Sequence, residues 1–229
     1  MDLIVEEKKI VSVRDFVYQT LRNNIMCLNL QPGENITKND LAEKLNVSRT
    51  PVGEALIQLA TEELVAIYPQ KGTVVSLINL HHVNEGKFIR QSLEDAVIRI
   101  ACRNFPENIL FELQSNLKTM EFMLTQNQID IPVLFNLDQT FHQNIFKGCQ
   151  KEKAWSVIIQ TSTHLNRARY LKMLSSPNAW ELALHEHHEI VAAIKSGNID
   201  HGAELMDKHL GGVDSWLEKL KLQFQSYFG

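Results

Sequence analysis

Residues 37–75 read TKNDLAEKLNVSRTPVGEALIQLATEELVAIYPQKGTVV, and this stretch decides the fold of the first third of the chain. Thr37 can cap the free amides of a short helix, and Asp40, three residues on, favours the positive end of its dipole. Leu41 and Leu45 form that helix's buried stripe. After the short connection Asn46-Val47, Ser48 is a second N-cap, and Pro51 is tolerated because first-turn amides have no intrahelical acceptor to lose. In the helix that starts at about Arg49, the residues Val52, Ala55, Leu56 and Leu59 recur at helical spacing, which leaves Arg49, Thr50, Gly53 and Gln58 to face outward. Beyond Leu64, residues 65–68, the turn Pro69-Gln70-Lys71-Gly72 and residues 73–75 read as a two-stranded hairpin with a cationic tip.

Helix, turn, helix and hairpin in this order predict a winged helix-turn-helix. An arginine in the first turn of a recognition helix reaches a guanine edge or a phosphate. Taken alone, SRTP is equally the cap of a core helix; the wing in register behind it favours DNA binding. The candidate contacts are Arg14, Lys38, Ser48, Arg49, Thr50, Pro51, Gln58, Lys71 and Gly72. Charge is the difficulty: residues 1–78 hold eight lysines and arginines (Lys8, Lys9, Arg14, Arg22, Lys38, Lys44, Arg49, Lys71) against ten acids, a net of −2, whereas DNA-binding domains are usually basic. Binding must then rest on Arg14, Lys38, Arg49 and Lys71 clustering on one face and on dimerisation doubling the phosphate contacts, with strong salt dependence.

These residues resemble the GntR family of bacterial transcription regulators. The likeness rests on residues 12–30 followed by Gln31-Pro32-Gly33-Glu34, on the block from Leu41 to Val52, and on Lys71-Gly72 at the wing tip, and it spans residues 10–78. Family members usually carry an arginine where this chain has Gly53 and a glycine where it has Glu63. Glycine in a helix interior costs about 1 kcal/mol relative to alanine, which motivates the expectation that the backbone approaches DNA closely at Gly53.

The whole chain, 229 residues with 44% hydrophobic content, has room for this small domain, expected over 1–78, and a larger one over 79–229. Cys27, Cys102 and Cys149 form no paired motif and read as reduced buried thiols. The start MDLIVEEKKI lacks the pattern of a signal peptide, and no run of 18 apolar residues occurs. A cytoplasmic protein without membrane contact is expected.

From about residue 80 the pattern becomes amphipathic helices: 80–104, 106–126, 131–148, 151–174, 178–196 and 199–226. That predicts an antiparallel six-helix bundle and a mainly α protein. Asp138 and His142, spaced i, i+4, share one face beside Leu134, Leu137, Phe141 and Ile145. His187 falls among Leu184, Ile190, Val191 and Ile194, and His209 among Leu205, Met206, Val213 and Trp216. The turn at Gly197-Asn198 lies about equally far from both histidines, so in an antiparallel hairpin they face one another. Three imidazoles and a carboxylate suit a divalent cation, zinc first, with nickel, manganese or cobalt as alternatives; hydrogen-bonded core histidines are the bland alternative. His185 and His188 point away from the apolar stripe and read as solvated.

This half resembles the FCD ligand-binding domain of one GntR branch. The likeness rests on Asp138-x-x-x-His142, on residues 186–194 (EHHEIVAAI) and on His209. It implies that these four residues are metal ligands, and the count of six helices implies the VanR-like group. In that branch a carboxylate effector fills open metal positions. Arg90, paired in sequence with Glu94, would clamp such a carboxylate bidentately or serve as a structural salt bridge. His164, judged level with Asp138 by residue counting, is a candidate further ligand or effector contact, and Arg167 is the next effector-contact candidate, with a solvated surface arginine as the bland alternative. The resulting expectation is a non-enzymatic, ligand-responsive repressor acting as a homodimer on a palindromic double-stranded DNA operator, with a small organic acid as effector. A small helical metallohydrolase and a constitutive DNA binder with a purely structural metal are the rivals.

Overall fold

The structure, a computed structural model, describes residues 3–4, 12–70, 72–126, 129–176 and 178–229. Lys71, expected at the wing tip, lies outside the described residues. The fold is mainly α with one small sheet. Packing divides the chain into two compact units, one of Met1–Val83, Thr163–Tyr170 and Leu220–Gly229, the other of Asn84–Ser162 and Leu171–Lys219. The sequence reading puts a single boundary at 78/79. Here the division falls after Val83, and two later segments join the N-terminal unit.

In the first unit, α1 (Val13–Met26) is capped by Ser12, whose Oγ accepts from the Asp15 amide. After β1 (Asn35–Ile36), α2 (Lys38–Lys44) opens with the Thr37 hydroxyl accepting from the Asp40 amide at 3.1 Å. Ser48 has the extended backbone of an N-cap for α3 (Arg49–Thr61), but its side chain makes no cap hydrogen bond. The connection at Asn46 takes a left-handed φ of 51°, which asparagine tolerates well. β2 (Val65–Tyr68) and β3 (Gly72–Val75) pair antiparallel from Val65 opposite Val75 to Tyr68 opposite Gly72. The wing is three-stranded rather than two-stranded, because β1 pairs with β3 at Asn35–Val74 and Ile36–Thr73. A two-residue strand carries no periodicity for a sequence to display. Val17, Leu21, Ile25, Leu41, Leu56 and Leu59, none of them exposed, form the core beneath these helices.

The remaining helices are α4 (Leu80–Ala101), α5 (Glu107–Leu124), α6 (Ile131–Gly148), α7 (Glu152–Thr161), α8 (Thr163–Ser175), α9 (Ala179–Ser196), α10 (Ile199–Gly211) and α11 (Val213–Gln223). Two of the six expected helices are therefore divided: 151–174 breaks at Ser162, and the last breaks at Gly212. In the second unit Asp130 caps α6 through the Val133 amide with Pro132 in the first turn. Gly197, at φ 68°, closes α9, and the Asn198 side chain caps α10 by accepting from the His201 amide. That two-residue reversal makes α9 and α10 an antiparallel hairpin. No helix among the described residues is long and apolar enough to cross a membrane.

Candidate functional site

Two arrays of functional side chains emerge, one in each unit. In the second unit α6 supplies Asp138 and His142 one turn apart, α9 supplies His187 and α10 supplies His209. Their ligand atoms all lie within 4.8 Å of one another. Asp138 is 1% exposed, and His142 and His187 are fully buried. His209 Nε2 stands 3.2 Å from His187 Nε2 and 3.3 Å from His142 Nε2, and His187 Nε2 is 3.7 Å from an Asp138 oxygen. The His187 ring is held by stacking on Phe141, with centroids 3.9 Å apart.

The outer nitrogens decide what these atoms can do. His142 Nδ1 lies 2.5 Å from Glu94 Oε2, and His209 Nδ1 lies 2.8 Å from Glu186 Oε2. A carboxylate only accepts, so each imidazole carries a proton on Nδ1, and its neutral form presents a bare lone pair at Nε2. Burial keeps His142 neutral, its pKa lowered to about 4. Burial opposes the charge on Glu94 as well, but His142 and Arg90 outweigh it and hold that pKa at about 2. Arg90 is then the countercharge, and His142 the hydrogen-bond donor. Burial also works against Glu186, whose carboxyl is nevertheless held below the usual range by the His209 bond and by the Lys208 and Lys172 charges.

Two lone pairs facing each other at 3.3 Å repel unless a cation lies between them. Ligands held at about 2.0–2.1 Å in a tetrahedral array stand about 3.3–3.4 Å apart, so the nitrogen separations fit such an ion. Carboxylates behind two of the histidines complete the outer shell that metal-binding imidazoles use. Arg90, 2% exposed, donates Nε to Glu94 at 2.6 Å, while its Nη1 and Nη2 have no partner among the described residues. Sequence reasoning paired Glu94 with Arg90 alone and left Glu186 without a partner; the i, i+4 step from Arg90 and the adjacency to His187 were the available signals. His185 and His188 are exposed, the latter on Glu121.

His164 and Arg167 are not brought to this group; residues 163–170 belong to the first unit. His164 Nδ1 accepts from the Asn79 amide at 3.0 Å and from Arg167 Nη2 at 2.9 Å, and Arg167 also donates to the Ser76 and Leu77 carbonyls. The counting that set His164 level with Asp138 assumed one unbroken helix, and the break at Ser162 voids it. Glu63, His82 and His164 form a second convergent group, with His82 Nδ1 2.5 Å and His164 Nε2 3.8 Å from Glu63 Oε2. A metal does not suit it. With Nδ1 accepting from a backbone amide, the proton of neutral His164 must sit on Nε2, the atom a metal would need.

The DNA contacts expected from the sequence centre on α3 of the first unit. Ser48, Arg49 and Thr50 are exposed at its start, Pro51 sits in its first turn, and Gly72, at φ 113°, is exposed on the wing. Arg14 donates to the Gln58 side chain at 3.0 Å, so these two candidates act as a pair. The acid excess is partly spent internally: Glu62 binds Arg22 and Tyr18, and Glu63 binds His82. Gly53 differs from expectation. It is buried, because the Lys38 side chain lies across it; a Cβ there would meet Lys38 Nζ at 3.4 Å, so the bare backbone faces a lysine stem rather than open space.

Comparison with known proteins meets this geometry in both units. Residues 13–75 match the bacterial regulatory proteins of the gntR family, and residues 88–212 match the FCD domain. The HTH-type transcriptional repressor RspR of Escherichia coli K12 is 30% identical over 218 residues, covering 94% of this chain and 93% of the relative. Among solved structures, Escherichia coli McbR/YncC superposes with a TM-score of 0.76 at 21% identity, over 94% of this chain and 100% of that one. A GntR-type regulator from Rhodococcus sp. RHA1 gives 0.73 at 19% identity, over 90% and 97%. Both structures speak to the fold.

Proposed function

The chain belongs to the GntR family of bacterial regulatory proteins and carries an FCD domain, and from that premise we propose that it is a cytoplasmic homodimeric repressor whose hold on a palindromic operator is set by a small carboxylate bound beside a divalent metal. As a family member it is a DNA-binding transcriptional regulator and not an enzyme, which removes the metallohydrolase reading. The proposed domains are a DNA-binding one over 1–78 and an effector-binding one over 79–229.

The observation that carries the metal and effector reading is the convergence of buried Asp138, His142 and His187 with half-buried His209, with two Nδ1 protons committed to carboxylates. These four residues would hold the ion, zinc in first place, and a bound cation supplies a Lewis-acidic anchor for a carboxylate oxygen. Glu94 orients His142, Glu186 orients His209, and the unpaired Nη1 and Nη2 of Arg90 offer a forked donor to a carboxylate. An effector changes operator affinity only as far as it prefers one spacing of the two recognition helices, and two-fold symmetry in the protein matches half-sites in the DNA.

Elemental analysis of protein purified without added metal or chelator tests this, run beside Asp138→Ala and His187→Ala. About one equivalent of metal that disappears in both variants is expected of a four-ligand site; a metal-free wild type that gains no thermal stability from zinc, nickel or manganese refutes it. Release of the metal-loaded protein from its operator by one of a panel of di- and tricarboxylic acids, lost in Arg90→Met, supports the effector half. Operator affinity indifferent to the whole panel would leave a constitutive binder.

A further inference from the structure

The outward sector of α3 holds Arg49, Thr50, Glu54 and Ile57, all exposed, Ile57 at 61%. Gly53 lies between Arg49 and Ile57 in that sector, one helical turn from each, and yet it is buried. What covers it is Lys38 of α2, whose Nζ, Cε and Cδ lie 3.4, 3.7 and 4.0 Å from where a Cβ of residue 53 would stand. Gly53 has no left-handed φ, so its backbone does not require glycine. The missing side chain leaves a channel across the helix, and the lysine stem occupies it.

The ammonium brought there is exposed and faces solvent. Lys38 is the first residue of α2, where the helix dipole disfavours a cation. It has no carboxylate partner among the described residues, although the first unit is rich in acids. Three unspent N–H donors are thus held over the middle of the recognition face by a residue of the neighbouring helix. The first turns of a recognition helix are where base edges are contacted, and a lysine there can pair with guanine O6 and N7.

We propose that Lys38, laid through the gap at Gly53, is a specificity-determining residue that reads a guanine in each operator half-site. The second helix of the motif then supplies the groove, and the first supplies the reading group. This inference stands on the DNA-binding unit alone and is independent of the metal and effector reading.

The test is in vitro selection from a random duplex library with the full-length protein, comparing wild type, Lys38→Ala, Gly53→Ala and Gly53→Leu, each checked for folding by thermal melting. Wild type should enrich a motif with a guanine that Lys38→Ala no longer demands, discrimination at that base pair falling about tenfold or more while the other positions hold. Gly53→Ala should keep the motif, since its Cβ makes only ordinary contact with Lys38. Gly53→Leu, which fills the channel, should lose the same guanine. If Lys38→Ala enriches the wild-type motif with affinity lowered evenly and a shallower salt dependence, Lys38 is a phosphate contact and the proposal is overturned. A folded Gly53→Leu that still demands the guanine overturns the role of the gap.

Discussion

Glu94 sits between the buried Arg90 and a histidine of the proposed metal site, and replacing it separates two quantities that the structure ties together. Glu94→Gln keeps the shape but removes the charge that faces Arg90 at 2.6 Å and weakens the acceptor that holds the His142 Nδ1 proton at 2.5 Å. Arg90 is 2% exposed, so losing its partner leaves an uncompensated buried charge, and the metal-free protein should lose about 3–5 kcal/mol. The amide is a weaker acceptor and can turn its NH2 toward His142, so zinc affinity should fall about 10- to 100-fold, or roughly 1.4–2.7 kcal/mol. The double variant Arg90→Met with Glu94→Gln distinguishes the two effects. It should recover most of the metal-free stability, since removing both members of a buried pair is often neutral, while zinc binding stays weak. Urea unfolding of the metal-free proteins gives the first quantity, and competition against a chelator gives the second. A double variant that regains wild-type zinc affinity along with its stability would refute the orienting role of Glu94.

Three further outcomes follow from named contacts. Gly148→Ala places a Cβ 2.3 Å from Phe105 Cε2, and the forced shift should cost about 1–3 kcal/mol, read as a lower urea midpoint; an unchanged midpoint would show that Phe105 moves freely. Burial, with the Arg167 and His82 charges, lowers the His164 pKa to about 3, so the unfolded chain takes up a proton first: its stability contribution is whole above about pH 6.5 and is lost as pH falls toward 3. Between pH 7.5 and 5.5 the wild type should lose about 1.4 kcal/mol more than His164→Asn, which keeps an acceptor for the Asn79 amide but does not titrate; parallel pH profiles would contradict this. Thr37→Ala removes the cap on the Asp40 amide and should cost about 0.5–2 kcal/mol in thermal unfolding, and full stability in that variant would show that water replaces the hydroxyl.

The DNA-binding unit was largely legible because its signals are local. Thr37 caps where the sequence says it should, Val52, Ala55, Leu56 and Leu59 are buried, and the wing strands lie where their β-branched residues fall. What the sequence hid was tertiary: β1 exists only by pairing with β3, and Gly53 makes sense only once Lys38 is seen across it. In the second unit Asp138, His142, His187 and His209 were legible as a set because i, i+4 spacing and distance from a turn are arithmetic on a helix. His164 failed by the same arithmetic, since a break at Ser162 leaves no trace in the periodicity. Glu94 was visible as a partner for Arg90 but not for His142, a residue on a different helix.

The reversal at Gly197-Asn198 turns residues 188–208 into a ruler. His187 and His209 meet because the two arms of the hairpin are matched in length, each residue advancing 1.5 Å and 100° along its helix. Inserting one residue in either arm would swing the far imidazole to another face, whereas exchanging an exposed residue such as His201 for another would leave it in place. Descent with the centre intact therefore preserves a count rather than a spelling. Relatives whose letters have drifted beyond easy alignment should still be found by the interval between two histidines.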